Sequence, residues 1–124
     1  MSSPLIEPRH RRVLVVEDDP LIAMLMQDFL DELGFACVGP AFSLPQALET
    51  AERETFEAGI LDLKLGGDDV YPVAQLLAHR GIPFAFASGF GRQGVESYWH
   101  DRPHIPKPYA LEDVARVLGQ LTGR

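Results

Sequence analysis

Five residues of this 124-residue chain carry groups suited to metal and phosphate chemistry: the acidic pair Glu17-Asp18, then Asp62, Ser88 and Lys107. Each of these four positions, counting the acidic pair as one, directly follows a short run that could be a strand. Val13-Leu14-Val15-Val16 precedes Glu17, Ala58-Gly59-Ile60-Leu61 precedes Asp62, Ile82 to Ala87 precedes Ser88, and His104-Ile105-Pro106 precedes Lys107. If the runs are parallel strands, all five residues sit at carboxyl ends, where open α/β sheets bind their ligands. Two carboxylates ~4 Å apart at an effective dielectric of ~20 repel by about 4 kcal/mol, so three together need a held proton or a bound cation. Carboxylate oxygens with little His or Cys nearby favour magnesium, which keeps waters and takes one or two carboxylates plus a phosphate oxygen. A site for magnesium and phosphate is the expectation.

The elements that must position these residues follow an alternating rhythm of βα units. Val13 to Val16 is continuous and apolar, as a strand buried on both faces should be. It stops at Glu17-Asp18-Asp19-Pro20, where Asp19 suits a helix N-cap and Pro20 the first helical position. Leu21, Ile22, Leu25, Met26, Phe29, Leu30 and Leu33 then give a broad apolar helical face closed by Gly34. Ala36 to Ala41 reads as a second strand, and Ser43-Leu44-Pro45-Gln46 as a capping box opening a helix to about Arg53. Ala58 to Asp62 is the third strand, Gly66-Gly67-Asp68 a turn, and a helix is expected from about Asp69 to His79. The fourth strand is expected over Ile82 to Ala87, with Pro83 at its start, where a missing donor is tolerable.

After the fourth strand the rhythm weakens. Gly89, Gly91 and Gly94 would each cost a helix interior roughly 1 kcal/mol against Ala, so a fourth helix should be short or absent. The fifth strand, pinched between prolines around His104-Ile105-Pro106, should be short and at an edge. Leu111, Val114, Val117, Leu118 and Leu121 share one face of a last helix. Trp99, Tyr98 and His100 fall in the irregular stretch and suit partial core, a contact surface, or both.

Composition bounds the function. Eleven Lys plus Arg against eighteen Asp plus Glu give a net charge of −7, which opposes binding to nucleic acid and anionic lipid. The longest apolar run, Leu21 to Met26, is far below the ~20 residues that span a bilayer, and no signal peptide pattern opens the chain. A cytoplasmic protein is expected. The one cysteine, Cys37, has no disulfide partner within the chain and reads as a small buried residue. Residues 1–10, with Arg9 near the basic residues Arg11 and Arg12, read as a loose, solvated lead-in.

The order VLVVEDDP (Val13 to Pro20), LDLKL around Asp62, FASG around Ser88 and IPKPY around Lys107 resembles the receiver domain of bacterial two-component response regulators, over about residues 11–122. The resemblance implies a flavodoxin-like (CheY-like) three-layer sandwich with a five-stranded parallel sheet in the order 2-1-3-4-5, the switch-point order that general accounts of the fold illustrate with a receiver. It implies that Asp62 is the phosphoacceptor, taking a phosphoryl group from a histidine of a sensor kinase to form an aspartyl phosphate. Asp18, Asp62 and the main-chain carbonyl of Lys64 would hold magnesium, with Glu17 reaching it through water. Lys107 and Ser88 would bind phosphoryl oxygens, and the Lys107-Pro108 bond would be cis. The product would be a signalling protein with self-catalysed phosphoryl transfer and autodephosphorylation, not an enzyme acting on others.

The chain departs from the ordinary receiver pattern in two places. The stretch from Ser88 to Lys107 is short, and His104 stands where many receivers carry a switching aromatic, so that switch does not transfer; a surface histidine is expected there. Phe86-Ala87-Ser88-Gly89-Phe90-Gly91 resembles the FAT GUY motif of a subgroup of single-domain receivers, with Ser for Thr. That resemblance implies HWE-type kinases as donors and a segment around 89–100 that orders on phosphorylation. With no output domain expected, signalling would pass through a downstream protein, a histidine phosphotransfer partner, or a phosphate-sink role. Two other functions compete. A phosphatase using Asp62 would want a second acid at position 64, which is Lys; a degenerate receiver serving only as a binding module would not need all five site residues.

Overall fold

The structure, a computed structural model, describes residues 11–89 and 91–123. The expected lead-in over 1–10 and Phe90 of the glycine-rich motif lie outside the described residues. Five parallel strands form the sheet: β1 (Arg12–Val16), β2 (Ala36–Ala41), β3 (Ala58–Asp62), β4 (Phe84–Ser88) and β5 (His104–Pro106), in the order β2-β1-β3-β4-β5. Among the described residues four α-helices cover it: α1 (Pro20–Leu33), α2 (Leu44–Arg53), α3 (Tyr71–His79) and α4 (Leu111–Thr122). This is the doubly wound order that the resemblance to receivers implies.

Alternation along the central strands divides the core into two layers. Val13, Val15, Ile60, Ala85, Ala87 and Ile105 pack with Met26 and Leu30 of α1 and Val114, Val117 and Leu118 of α4. On the other face Leu14, Val16, Leu61, Phe84 and Phe86 pack with Ala47 and Ala51 of α2 and Val73, Ala74 and Leu77 of α3. Strands β1, β3 and β4 are buried on both sides, which is why their sequences read as unbroken apolar runs.

Local signals explain most boundaries. The Asp19 carboxylate accepts from the N–H groups of Leu21 (2.9 Å) and Ile22 (3.4 Å), and Gly34 ends α1 at φ +87°, a conformation glycine adopts without strain. Ser43 Oγ accepts from Gln46 N, and Gln46 Oε1 accepts in return from Phe42 N. Arg12 ties the start of β1 to the end of α2 through Glu54 at 3.1 Å, so it is not the solvated arginine expected.

Four further expectations are corrected. The apolar face of α1 is narrower than its sequence suggests: Ala23, Met26 and Leu30 are buried, while Leu21 is 75% exposed and Leu25 is also exposed. Cys37 is only half-buried, because β2 is an edge strand. Strand β4 begins at Phe84, since Pro83 has no N–H and contributes only a carbonyl, to Gly59 N. Helix α3 begins at Tyr71, because Lys64–Leu65 and Asp68–Asp69 pair as a small antiparallel ribbon about Gly66-Gly67.

Between β4 and β5 there is no α-helix among the described residues. Two single 3₁₀ turns, Arg92–Gly94 and Ser97–Trp99, replace it. Trp99 holds this stretch to the sheet, lying parallel to Tyr71 with ring centroids 6.3 Å apart and against Phe84 (5.7 Å) and Phe86 (6.0 Å). Tyr71 accepts a hydrogen bond from Glu96 N at 2.8 Å, and His100 Nε2 lies 2.6 Å from the Val95 carbonyl. Trp99 is core at 5% exposure and its neighbour Tyr98 is surface at 80%, so the stretch supplies both.

Candidate functional site

The sheet ladder sets each site residue in place. Glu17 N donates to Ala41 O (2.9 Å), extending the β1-β2 ladder by one residue beyond Val16. Asp62 ends β3 opposite Ala87, and Leu63 N donates to Ala87 O. Lys107 N donates to Ser88 O (3.2 Å), so the residue after β5 lies beside the residue that ends β4. All five sequence-predicted side-chain positions therefore meet at one end of the sheet. Asp18, Asp62, Leu63, Lys64, Ser88, Gly89 and Lys107 line a cleft of about 260 Å³ there.

One carboxylate oxygen from each of Glu17, Asp18 and Asp62 lies within 4.8 Å of the other two. Glu17 is 1% exposed, Asp62 is buried and Asp18 faces solvent. Lys107 Nζ stands 2.9 Å from Glu17 Oε1 and 2.9 Å from Asp62 Oδ1, so its ammonium offsets part of the repulsion. Burial pushes the Asp62 carboxyl up to about 7, with Lys107 pulling it down and the charge of Glu17 adding to the rise. Burial works against the Lys107 charge as well, but its bonds to Glu17 and Asp62 outweigh that and its pKa is raised. Hard oxygens without His or Cys suit a small hard cation, and magnesium fits this donor set.

Two features of the site were not read from the sequence. Gly66 N donates to Asp18 Oδ2 at 2.8 Å, tying the ribbon to the acidic pair; Gly66 has φ +64°, which a side chain would strain. Tyr109, buried beneath the site, donates its hydroxyl to Glu17 Oε1 at 3.2 Å. The available signal was its place two residues after Lys107. Burial, with the charges of Glu17 and Asp62, raises its pKa above the ordinary phenol range.

Of the remaining candidates, Asp19 is the α1 cap as expected, its N–H reaching Glu17 Oε2 at 3.2 Å. The Lys64 side chain is exposed and pairs with Asp69 across the ribbon. The Lys107-Pro108 peptide is cis, as is Gly39-Pro40. His104 is half-buried, with Nε2 3.5 Å from Ser88 Oγ, which corrects the expected surface histidine. Its strand partner Phe86 brings it to the Ser88 side of the cleft.

The family model of the response regulator receiver domain matches residues 13–96. The chain belongs to this family. As a receiver it is 30% identical over 112 residues to the transcriptional regulatory protein PdtaR of Mycobacterium tuberculosis, covering 87% of this chain and 55% of that protein. The receiver thus spans about half the length of the curated relatives it matches. Among solved structures, SdrG from Sphingomonas melonis Fr1 is similar at 43% identity and a TM-score of 0.80, over 89% of this chain and 94% of that one. The BeF3-activated conformation of SdrG from Pseudomonas melonis Fr1 is similar at 42% identity and a TM-score of 0.79, over 90% and 96% of the two chains. The fold is therefore the CheY-like receiver fold, and receivers are signalling proteins that interact with histidine kinases.

Proposed function

We propose that this receiver accepts a phosphoryl group on Asp62 from a histidine of a sensor kinase, in a magnesium-dependent reaction. The observation that carries the reading is the convergence of Glu17, Asp18 and Asp62 within 4.8 Å, with the Lys107 ammonium 2.9 Å from two of them. The BeF3-activated conformation of SdrG supports it by likeness.

An Asp62 carboxylate oxygen attacks phosphorus. The O–P bond forms as the P–N bond to the donor histidine breaks, and its electron pair returns to the imidazole nitrogen. Asp18, Asp62 and the Lys64 carbonyl, with Glu17 behind them, would hold magnesium, which would supply charge neutralisation at the phosphoryl oxygens. Lys107 binds one phosphoryl oxygen and Ser88 another, so both must turn from their present partners toward the cleft. Water entering the same cleft later releases phosphate from Asp62, giving autodephosphorylation.

The FAT GUY likeness of residues 86–91 supports an HWE-type kinase as the donor and a single-domain mode of action in the cytoplasm. Output then passes by protein contact, to a downstream protein or a histidine phosphotransfer partner, or by draining phosphoryl groups from a shared kinase. No helix among the described residues is long and apolar enough to cross a membrane, and the net charge of −7 disfavours direct nucleic-acid binding. Acetyl phosphate tests the chemistry. Intact mass should show one phosphoryl group added with magnesium, and none with a chelator or in Asp62→Ala. No uptake from acetyl phosphate or from a phosphorylated kinase would leave a phosphorylation-independent binding module.

A further inference from the structure

Glu17 Oε1 is shared. It accepts from Lys107 Nζ at 2.9 Å and from the Tyr109 hydroxyl at 3.2 Å, while Oε2 accepts from Asp19 N at 3.2 Å. The carboxylate is 1% exposed, so water cannot replace a lost partner cheaply. Lys107 is the one partner of the three that phosphoryl chemistry asks to move. Its ammonium also lies 5.8 Å from the centroid of the Tyr109 ring, so ring and hydroxyl together border the route between Glu17 and the cleft.

From this arrangement we propose that Tyr109 is a positioning residue for phosphoryl transfer, whose hydroxyl keeps Glu17 hydrogen-bonded when Lys107 leaves it for a phosphoryl oxygen. The inference rests on the function proposed above. A carboxylate oxygen with two donors binds each less tightly than it would bind one, so the hydroxyl loosens the Glu17–Lys107 pair before transfer and stands in for it afterwards. Without it, Lys107 is the sole donor to Oε1, and its departure leaves that buried oxygen without a donor while Oε2 keeps only Asp19 N. The transition state, in which the ammonium has shifted toward phosphorus, then lies higher relative to the resting site. Tyr109 touches neither metal nor phosphoryl in this account and acts only through Glu17 and Lys107.

Tyr109→Phe isolates the hydroxyl, because the ring packed among Val15, Ile105 and Val114 remains. At saturating magnesium the rate of phosphoryl uptake from acetyl phosphate should fall on the order of fivefold, the worth of one modest hydrogen bond. Magnesium affinity, followed by amide shifts without any donor, should stay within twofold of wild type or tighten, because Glu17 loses a competing donor. In a Glu17→Ala background the same substitution should leave uptake unchanged. Wild-type uptake by Tyr109→Phe, a parallel loss of metal affinity, or an equal loss in the Glu17→Ala background would each overturn the role while leaving Asp62 chemistry intact. Failure of the wild-type chain itself to take up phosphoryl would overturn the underlying reading and the role with it.

Discussion

Two regions at the carboxyl end of one sheet are held by different means. The acidic site is fixed by main-chain ladder bonds: Glu17 to Ala41, Leu63 to Ala87 and Lys107 to Ser88. The stretch from Gly91 to Pro103 has no α-helix to fix it and depends on side chains, chiefly Trp99 against Tyr71, Phe84 and Phe86, with the Arg102 guanidinium 4.4 Å from the Phe84 ring centroid. The difference separates chemistry from response. Ladder bonds place reacting groups closely, whereas a stretch that contains two glycines and is held by one aromatic anchor opens locally at lower cost.

Breaking the anchor should give the largest effect. Trp99→Ala removes a buried ring and should cost about 3–5 kcal/mol by urea unfolding or release the stretch locally, while phosphoryl uptake on Asp62 persists. Equal loss of uptake would show that the two regions are not separable. Lys107→Ala attacks the other side, leaving Glu17 and Asp62 together without their cation. It should cost about 2–4 kcal/mol at pH 8, less below pH 5 where Asp62 is protonated, and should abolish productive transfer without exposing Trp99, as read by its fluorescence.

A pH series sharpens the comparison. Asp62 sits near 7 in the metal-free fold, above its unfolded value, so the folded chain holds a proton that the unfolded chain has released. Stability should therefore fall as pH rises from about 4 to about 7 and stay low above that. Asp62→Asn should remove this slope and gain about 1–3 kcal/mol at pH 8, by chemical denaturation in chelator, and nothing below pH 4. Smallest is the cap: Asp19→Ala should cost about 1 kcal/mol, since it removes the acceptor for two α1 N–H groups.

The strands and the five convergent residues were legible because a buried parallel strand writes itself as an apolar run and its functional residues come next, while the strand order came from the resemblance to receivers. The lack of an α-helix between β4 and β5 was legible from the glycines there. Tertiary details were not. The ribbon at Lys64–Asp69 shares its turn residues with an ordinary loop, so only the pairing of Lys64 with Asp69 reveals why α3 starts late. Leu21 and Leu25 carry the apolar period of α1 yet face outward, because the sheet and α4 cover only one side of that helix. Tyr109 belongs to the lysine motif, but its bond to Glu17 joins residues distant in the chain and has no local signature. His104 likewise gains its half-buried place from the β4-β5 register.

The central claim, that Asp62 is the group that takes the phosphoryl, is tested most directly by locating the modification. After incubation with acetyl phosphate and magnesium, borohydride reduction converts an acyl phosphate to a stable alcohol, and peptide mass spectrometry finds the residue so marked. The account predicts reduction at Asp62 alone, absent when magnesium is chelated. Marking at Glu17, Asp18 or elsewhere, or no marking under any donor, would contradict it.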